Sequence, residues 1–127
     1  MAGRKKQDHL TFIELQLMLI CWEMGEVPAS YIWEEFNKTE RRSYSAIKTE
    51  LDRITVKGYL VRRKLGPIWL YAPKYPKSEV LPSVFSRFMA FVQKYDILPL
   101  FVRYADKKGL TGEEKTEIRK LLDEAEE

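Results

Sequence analysis

Residues 43–71, SYSAIKTELDRITVKGYLVRRKLGPIWLY, set a helical repeat directly before two β-rich runs. Ile47, Leu51 and Ile54 recur at i, i+4 and i+7, so they share one helix face that must turn toward a core. Ser45, Thr49, Asp52 and Val56 fall on the opposite face, with Lys48 and Arg53 on its flanks. Gly58 is placed to stop the helix, which spans about 45–57. The runs 59–64 and 68–72 flank Gly66-Pro67 and read as a hairpin.

The preceding residues supply two more helices. Thr11 followed by Glu14 fits a capping box, in which each side chain satisfies an orphan donor at a helix start. A first helix is expected over about 12–24 with Gly25 as its stop, then a short Glu26-Val27-Pro28 link. A second is expected over about 29–37, with Ile32, Trp33 and Phe36 facing inward, and residues 38–42 form a polar loop. Three helices followed by a basic two-stranded wing is the order of a winged helix-turn-helix. Beyond a rigid, extended connector at 73–77, helical segments are expected at about 80–94, 98–107 and 112–125, the last with its own capping box of Thr111 and Glu114. The expected architecture is mainly α with a small β-wing. A winged-helix domain covers residues 1–77, with 1–9 as a flexible, solvated tail, and a helical dimerisation region covers 78–127.

Charge divides along the same line. Residues 1–77 hold 14 Lys and Arg against 9 Asp and Glu, whereas residues 78–127 hold 8 against 10. Between Lys38 and Lys64, nine basic residues face three acidic ones. A basic part joined to a mildly acidic part implies that the first meets a polyanion. A helix that shows water small hydroxyls flanked by long cations suits the major groove of double-stranded DNA. Short side chains admit the backbone to base edges, and Lys or Arg reaches guanine acceptors or phosphates. The base-reading candidates are Ser45, Ala46, Lys48, Thr49 and Arg53. A merely solvated amphipathic face would show the same pattern; the adjacent wing, with Arg62, Arg63 and Lys64 expected at its tip, tilts the reading to nucleic acid. Arg41 and Arg42 join them as phosphate contacts.

Other classes fare worse. His9 sits in a polar stretch, Cys21 lies between Ile20 and Trp22 as a packing residue, and no Gly-rich phosphate loop is present. Glu113, Glu114 and Glu117 lie at a helix start, where the macrodipole favours acids. An enzyme is therefore not expected, nor a cofactor or a metal. One cysteine offers no disulfide framework and fits a reducing cytoplasm, and the longest apolar run, 17–22, is too short to cross a bilayer. A winged-helix module that binds a protein instead of DNA stays open as the alternative.

The chain also resembles the penicillinase-repressor family of bacterial winged-helix regulators, which includes methicillin-resistance and copper-responsive repressors. The residues that carry the resemblance are Leu10-Thr11 with Glu14, Trp22, the run 44–49, Leu51, Arg53, the run 57–60, Arg62, Lys64 and the exit 71–73. Residues 109–111, 113–114 and 118–122 look like the family's last helix. The resemblance implies a homodimeric repressor that occludes a promoter. Ser45-Ala46 stands where the family commonly has two threonines, so an operator cannot be copied from relatives. Copper-responsive members carry paired Cys-x-Cys motifs, which this chain lacks.

In the C-terminal part, Leu81, Phe85, Phe88 and Val92 form a stripe, which Leu100, Phe101, Ile118, Leu121 and Leu122 extend. Some 50 residues in three helices cannot bury so much apolar surface alone, which implies a dimer; packing back onto the winged domain is the competing arrangement. In β-lactam-responsive relatives a membrane sensor-protease signals through a cut in the fifth helix, commonly between Asn and Phe. The matching bond is Leu100–Phe101, with Leu100 departing from that pattern, so both residues also read as plain interface.

Overall fold

The computed structural model describes residues 9–126 of the chain, with side chains through residue 120. The expected tail before His9 and the side chains of Leu121 and Leu122 lie outside those described residues. Six helices and three strands follow in the order α1 (Phe12–Met24), β1 (Val27–Pro28), α2 (Ala29–Phe36), α3 (Tyr44–Lys57), β2 (Leu60–Leu65), β3 (Ile68–Pro73), α4 (Lys77–Lys94), α5 (Leu98–Lys107) and α6 (Gly112–Glu126). By contacts they form two compact units that divide between Val80 and Leu81, inside α4.

α1 starts where its capping box places it. The Thr11 hydroxyl accepts from the Glu14 N–H at 3.2 Å, and the Thr11 N–H donates to Glu14 Oε1 at 2.8 Å. That carboxylate is 1% exposed. Its Oε1 also accepts from Lys57 Nζ at 2.6 Å, and the same ammonium donates to the His9 carbonyl at 3.0 Å. Lys57 stands in the last turn of α3, where a cation complements the helix dipole. One ion pair thus fastens the start of α1 to the end of α3.

α3 begins one residue before the position its periodicity predicts, because Ser43 caps it by accepting from the Ala46 N–H at 3.1 Å. It ends at Gly58, whose φ of +93° lets both Gly58 and Tyr59 donate to the Ile54 carbonyl. A Cβ would strain that left-handed stop. Ile47, Leu51 and Ile54 are fully buried, as their spacing requires, and meet Leu17, Met18 and Cys21 of α1 with Ile32 and Phe36 of α2. Burial pushes the Cys21 thiol up to about 12, so it packs as an apolar side chain.

The wing is three strands, not two. The sheet order is β1-β3-β2, all antiparallel, and the segment expected as a plain link supplies β1, with Val27 opposite Tyr71 and Pro28 opposite Leu70. Two residues carry no periodicity, so this edge strand left no local signal. Leu65 and Ile68 close the hairpin around Gly66 and Pro67. Gly66 has φ +62°, and proline must keep φ negative, which together give a type II′ turn. β3 runs through Pro73 and α4 starts at Lys77, so the expected connector shrinks to three residues. Leu60 and Tyr71 close the core from the sheet side.

Replacing Glu14 with Ala should remove the carboxylate half of the capping box and leave Lys57 without its buried partner. The expected cost is about 1–3 kcal/mol, read as a lower urea midpoint at unchanged slope. A midpoint equal to wild type would show that the ion pair does not hold α1 to α3.

Candidate nucleic-acid interface

The outer face of α3 is open along the predicted spacing, with Ser45 and Thr49 exposed and Val56 87% exposed. Ala46 is half-buried. The Thr49 hydroxyl donates to the Ser45 carbonyl one turn back at 2.9 Å, so it offers an incoming ligand only lone pairs and a methyl group. Arg53 projects into solvent and is paired with Glu50 at 3.0 Å.

Asp52, expected as one more exposed residue of that face, is a hub. It accepts from the Tyr71 hydroxyl at 2.7 Å, from Lys48 Nζ at 3.2 Å and from the Arg62 guanidinium at 3.3 Å. Lys48 also lies 5.8 Å from the centre of the Tyr71 ring. Partial burial pulls the Asp52 carboxyl upward, but Tyr71 and Lys48 as donors, with the charges of Lys48 and Arg62, outweigh it and leave the group below its ordinary value. Burial, then the bond to Asp52, pushes the Tyr71 phenol up. The Tyr71 oxygen, with Asp52 adding to it, holds the Lys48 ammonium above its usual range. The helix and the wing are thereby joined by charge-assisted hydrogen bonds.

The three wing cations do not act as one cluster. Arg62 pairs across the hairpin with Tyr71 and Lys64 with Trp69, so these four side chains share the face that meets α3. Arg62 stacks on the Trp69 ring at 4.5 Å from its centroid, and Lys64 lies at 5.8 Å. Arg63 pairs with Leu70 and points to the other face, where its Nε and Nη2 donate to the two carboxylate oxygens of Glu26 at 2.8 and 2.7 Å. That bond is the main reason Glu26 titrates below its ordinary value and Arg63 above. The expectation of three equivalent cations at the tip is therefore corrected: the pleat gives Arg62 and Lys64 to one side and Arg63 to the other, and the tip itself is Leu65, Gly66, Pro67 and Ile68. Period-two alternation would have revealed the split.

The loop before α3 is held by Asn37 and by the indole of Trp33, which was expected only to face inward. Asn37 Nδ2 donates to the Trp33 carbonyl at 2.9 Å and its Oδ1 accepts from the Arg42 N–H at 3.0 Å. The Trp33 indole donates to the Arg42 carbonyl at 2.8 Å and meets Tyr44 edge-on. Arg41 and Arg42 are exposed beside the start of α3, and among the described residues neither has a carboxylate partner.

In the second unit, Val92 is buried within the chain, and Leu81, Phe85, Phe101 and Ile118 are half-buried. Phe88 and Leu100 are exposed at 45% and 61%, in company with Phe91, Tyr95, Leu98, Val102 and Tyr104. Phe88 and Phe101 meet edge-on at 6.3 Å between ring centroids. Among the described residues no three His, Cys, Asp or Glu side chains gather into a group that could hold a metal, and no helix is long and apolar enough to cross a membrane.

The depressed Asp52 carboxyl sets a pH window. It stays charged in the fold after unfolded carboxyls, with pKa near 4, begin to bind protons. Its stabilisation is whole above that value and is lost as pH falls through the folded pKa. The stability difference between wild type and Asp52→Asn should be level from about pH 7 to 5 and shrink below about 4. Urea titrations across that range check it; a difference that grows in acid contradicts the hub.

Comparison with known proteins agrees with this geometry. Residues 10–124 match the family model described as penicillinase repressor. The penicillinase repressor of Bacillus licheniformis is 25% identical over 120 residues, covering 94% of both chains. The methicillin resistance regulatory protein MecI of Staphylococcus aureus is 26% identical over 117 residues, covering 92% of this chain and 95% of its own. Among solved structures, the DNA-binding domain of the repressor BlaI superposes with a TM-score of 0.53 at 29% identity, over 59% of this chain and 92% of that domain. A Bacillus licheniformis BlaI monomeric form, solved in complex with the blaP half-operator, gives 0.50 at 29% identity over 59% of this chain and 92% of that one. With a winged helix-turn-helix in place and a family model matched from Leu10 to the last helix, the chain belongs to the penicillinase repressor family, a family of transcription regulators and not of enzymes.

Proposed function

We propose that this protein is a transcriptional repressor that binds a palindromic operator in double-stranded DNA as a homodimer. The observation that carries the reading is the joining of α3 and the wing through Asp52 and Tyr71 into one exposed basic surface. Ser45, Ala46, Lys48 and Thr49 line the end of α3 that would enter the major groove, with Arg53 one turn further on. Arg41, Arg42, Arg62 and Lys64 are set around it to meet phosphates. The solved BlaI complex with a half-operator supports this use of the shared domain.

The exposed apolar side chains of α4 and α5 support dimerisation. Phe88, Phe91, Leu98, Leu100 and Val102 are all exposed in the single chain, and large apolar side chains exposed together mark interaction surfaces. A two-fold pair would bring two copies of α3 to successive major grooves and multiply the affinity of each. Leu100 and Phe101 enter this reading as interface side chains. The bond between them lies inside α5, so a membrane sensor-protease would have to unwind that helix to cut it.

Salt dependence separates DNA binding from a protein-docking role. Duplex affinity should fall steeply with salt, and Arg62→Ala with Lys64→Ala should lower the slope by roughly 0.9 per lost phosphate contact. Arg63→Ala, on the opposite face, should leave the slope unchanged. A double variant with the wild-type slope would place the wing away from the duplex. Phe101→Ala should shift the protein toward monomer and weaken operator binding without touching a DNA-facing residue. Sedimentation at micromolar concentration checks it: a variant that stays dimeric, or a monomeric wild type, removes α5 from the interface.

A further inference from the structure

Asp52 poses a problem for a DNA-binding surface. A carboxylate on the groove-facing side of α3, in line with Ser45, Thr49 and Val56, repels the polyanion the surface would meet. It is nevertheless held in place by three donors at 2.7–3.3 Å and lies between two cations that belong to different elements. Its side chain is 41% exposed, so solvent and ligand both reach it.

We propose that Asp52 is a specificity-determining residue: an internal counterion that competes with DNA phosphate for Lys48 and Arg62. The inference rests on the DNA-binding reading above. The physical argument is a competition between two ion pairs. On arbitrary duplex DNA, a phosphate must take Lys48 or Arg62 away from a carboxylate that already satisfies it, and the released carboxylate then faces the phosphate backbone. The exchange gains little, so non-specific binding is held down. On a matching site, contacts from Ser45, Thr49 and the neighbouring backbone are made with both cations still aimed by Asp52 and Tyr71, and less is lost to ordering them. Tyr71 makes the arrangement directional. Its ring is fully buried in the core and its hydroxyl fixes the carboxylate, so Asp52 cannot turn aside when DNA arrives. Arg62 is restrained a second time by the Trp69 ring.

Asp52→Asn tests the proposal, because it removes the charge and keeps an oxygen that can accept from Tyr71. Binding is measured on a duplex selected by the wild-type protein and on a random duplex, each over a range of salt. The expected result is about tenfold tighter binding to random DNA, with a salt slope steeper by roughly 0.9 for each cation that gains a phosphate. Affinity for the selected duplex should change much less, so the ratio of the two falls about tenfold, and Asp52→Glu should restore it. A role confined to holding the fold would weaken both duplexes together and leave the random-DNA slope unchanged, which would overturn the proposal. So would a changed preference at a single base pair, which would make Asp52 a direct reader of cytosine. If the variant unfolds, Tyr71→Phe supplies the same comparison, with a smaller loosening in the same direction expected and an unchanged ratio contradicting it. A wild-type protein that binds neither duplex defeats the DNA-binding reading itself, a result distinct from wild-type binding without an effect of Asp52.

Discussion

The hydrogen bond from the Tyr71 hydroxyl to Asp52 joins the inside of this molecule to its outside. The Tyr71 side chain is fully buried in the hydrophobic core, and its hydroxyl donates to a partly exposed carboxylate of α3. A two-stranded hairpin is marginal alone, so β2 and β3 need support. They have it from β1 on one edge, and Tyr71 of β3 ties the sheet to α3 through Asp52. Lys48 and Arg62 then take positions dictated by Asp52, and Trp69 holds Arg62 from the far side. The cationic surface is preorganised because one buried ring anchors it.

A second polar contact works at the opposite end of α3. Glu14 and Lys57 tie the start of α1 to the end of α3, so α3 is fixed at its last turn as well as along its face. Both contacts involve groups that would be costly to bury unpaired, and among the described residues no buried side-chain polar atom lacks a partner. Side chains with their partners already in place have little freedom left to lose when a ligand binds.

The helices were legible because their signals are local. Thr11 with Glu14, Thr111 with Glu114, Gly58 and the 47–51–54 spacing each act within a turn or two, and the caps and the buried face follow them. The turn at Gly66-Pro67 was legible for the same reason. What escaped the sequence depends on distant partners. β1 is a strand only because Tyr71 and Leu70 lie beside it, Arg63 is diverted by Glu26 across 37 residues, and Asp52 finds Tyr71 across 19. Asn37 and Trp33, which hold the loop under Arg42, are ordinary helix residues until the loop closes on them. Charge counting found the basic region but could not divide it between the two faces of a sheet.

In the proposed function, α3 and the wing form one surface that reads duplex DNA. Selection of bound sequences from random duplex DNA by the purified protein decides it. The expected result is enrichment of a palindrome whose half-sites lie about 10–10.5 base pairs apart, or a multiple of that spacing, as a two-fold pair of α3 helices in successive major grooves requires. Recovery of the input pool without enrichment, at a salt concentration where the protein is folded, would contradict it.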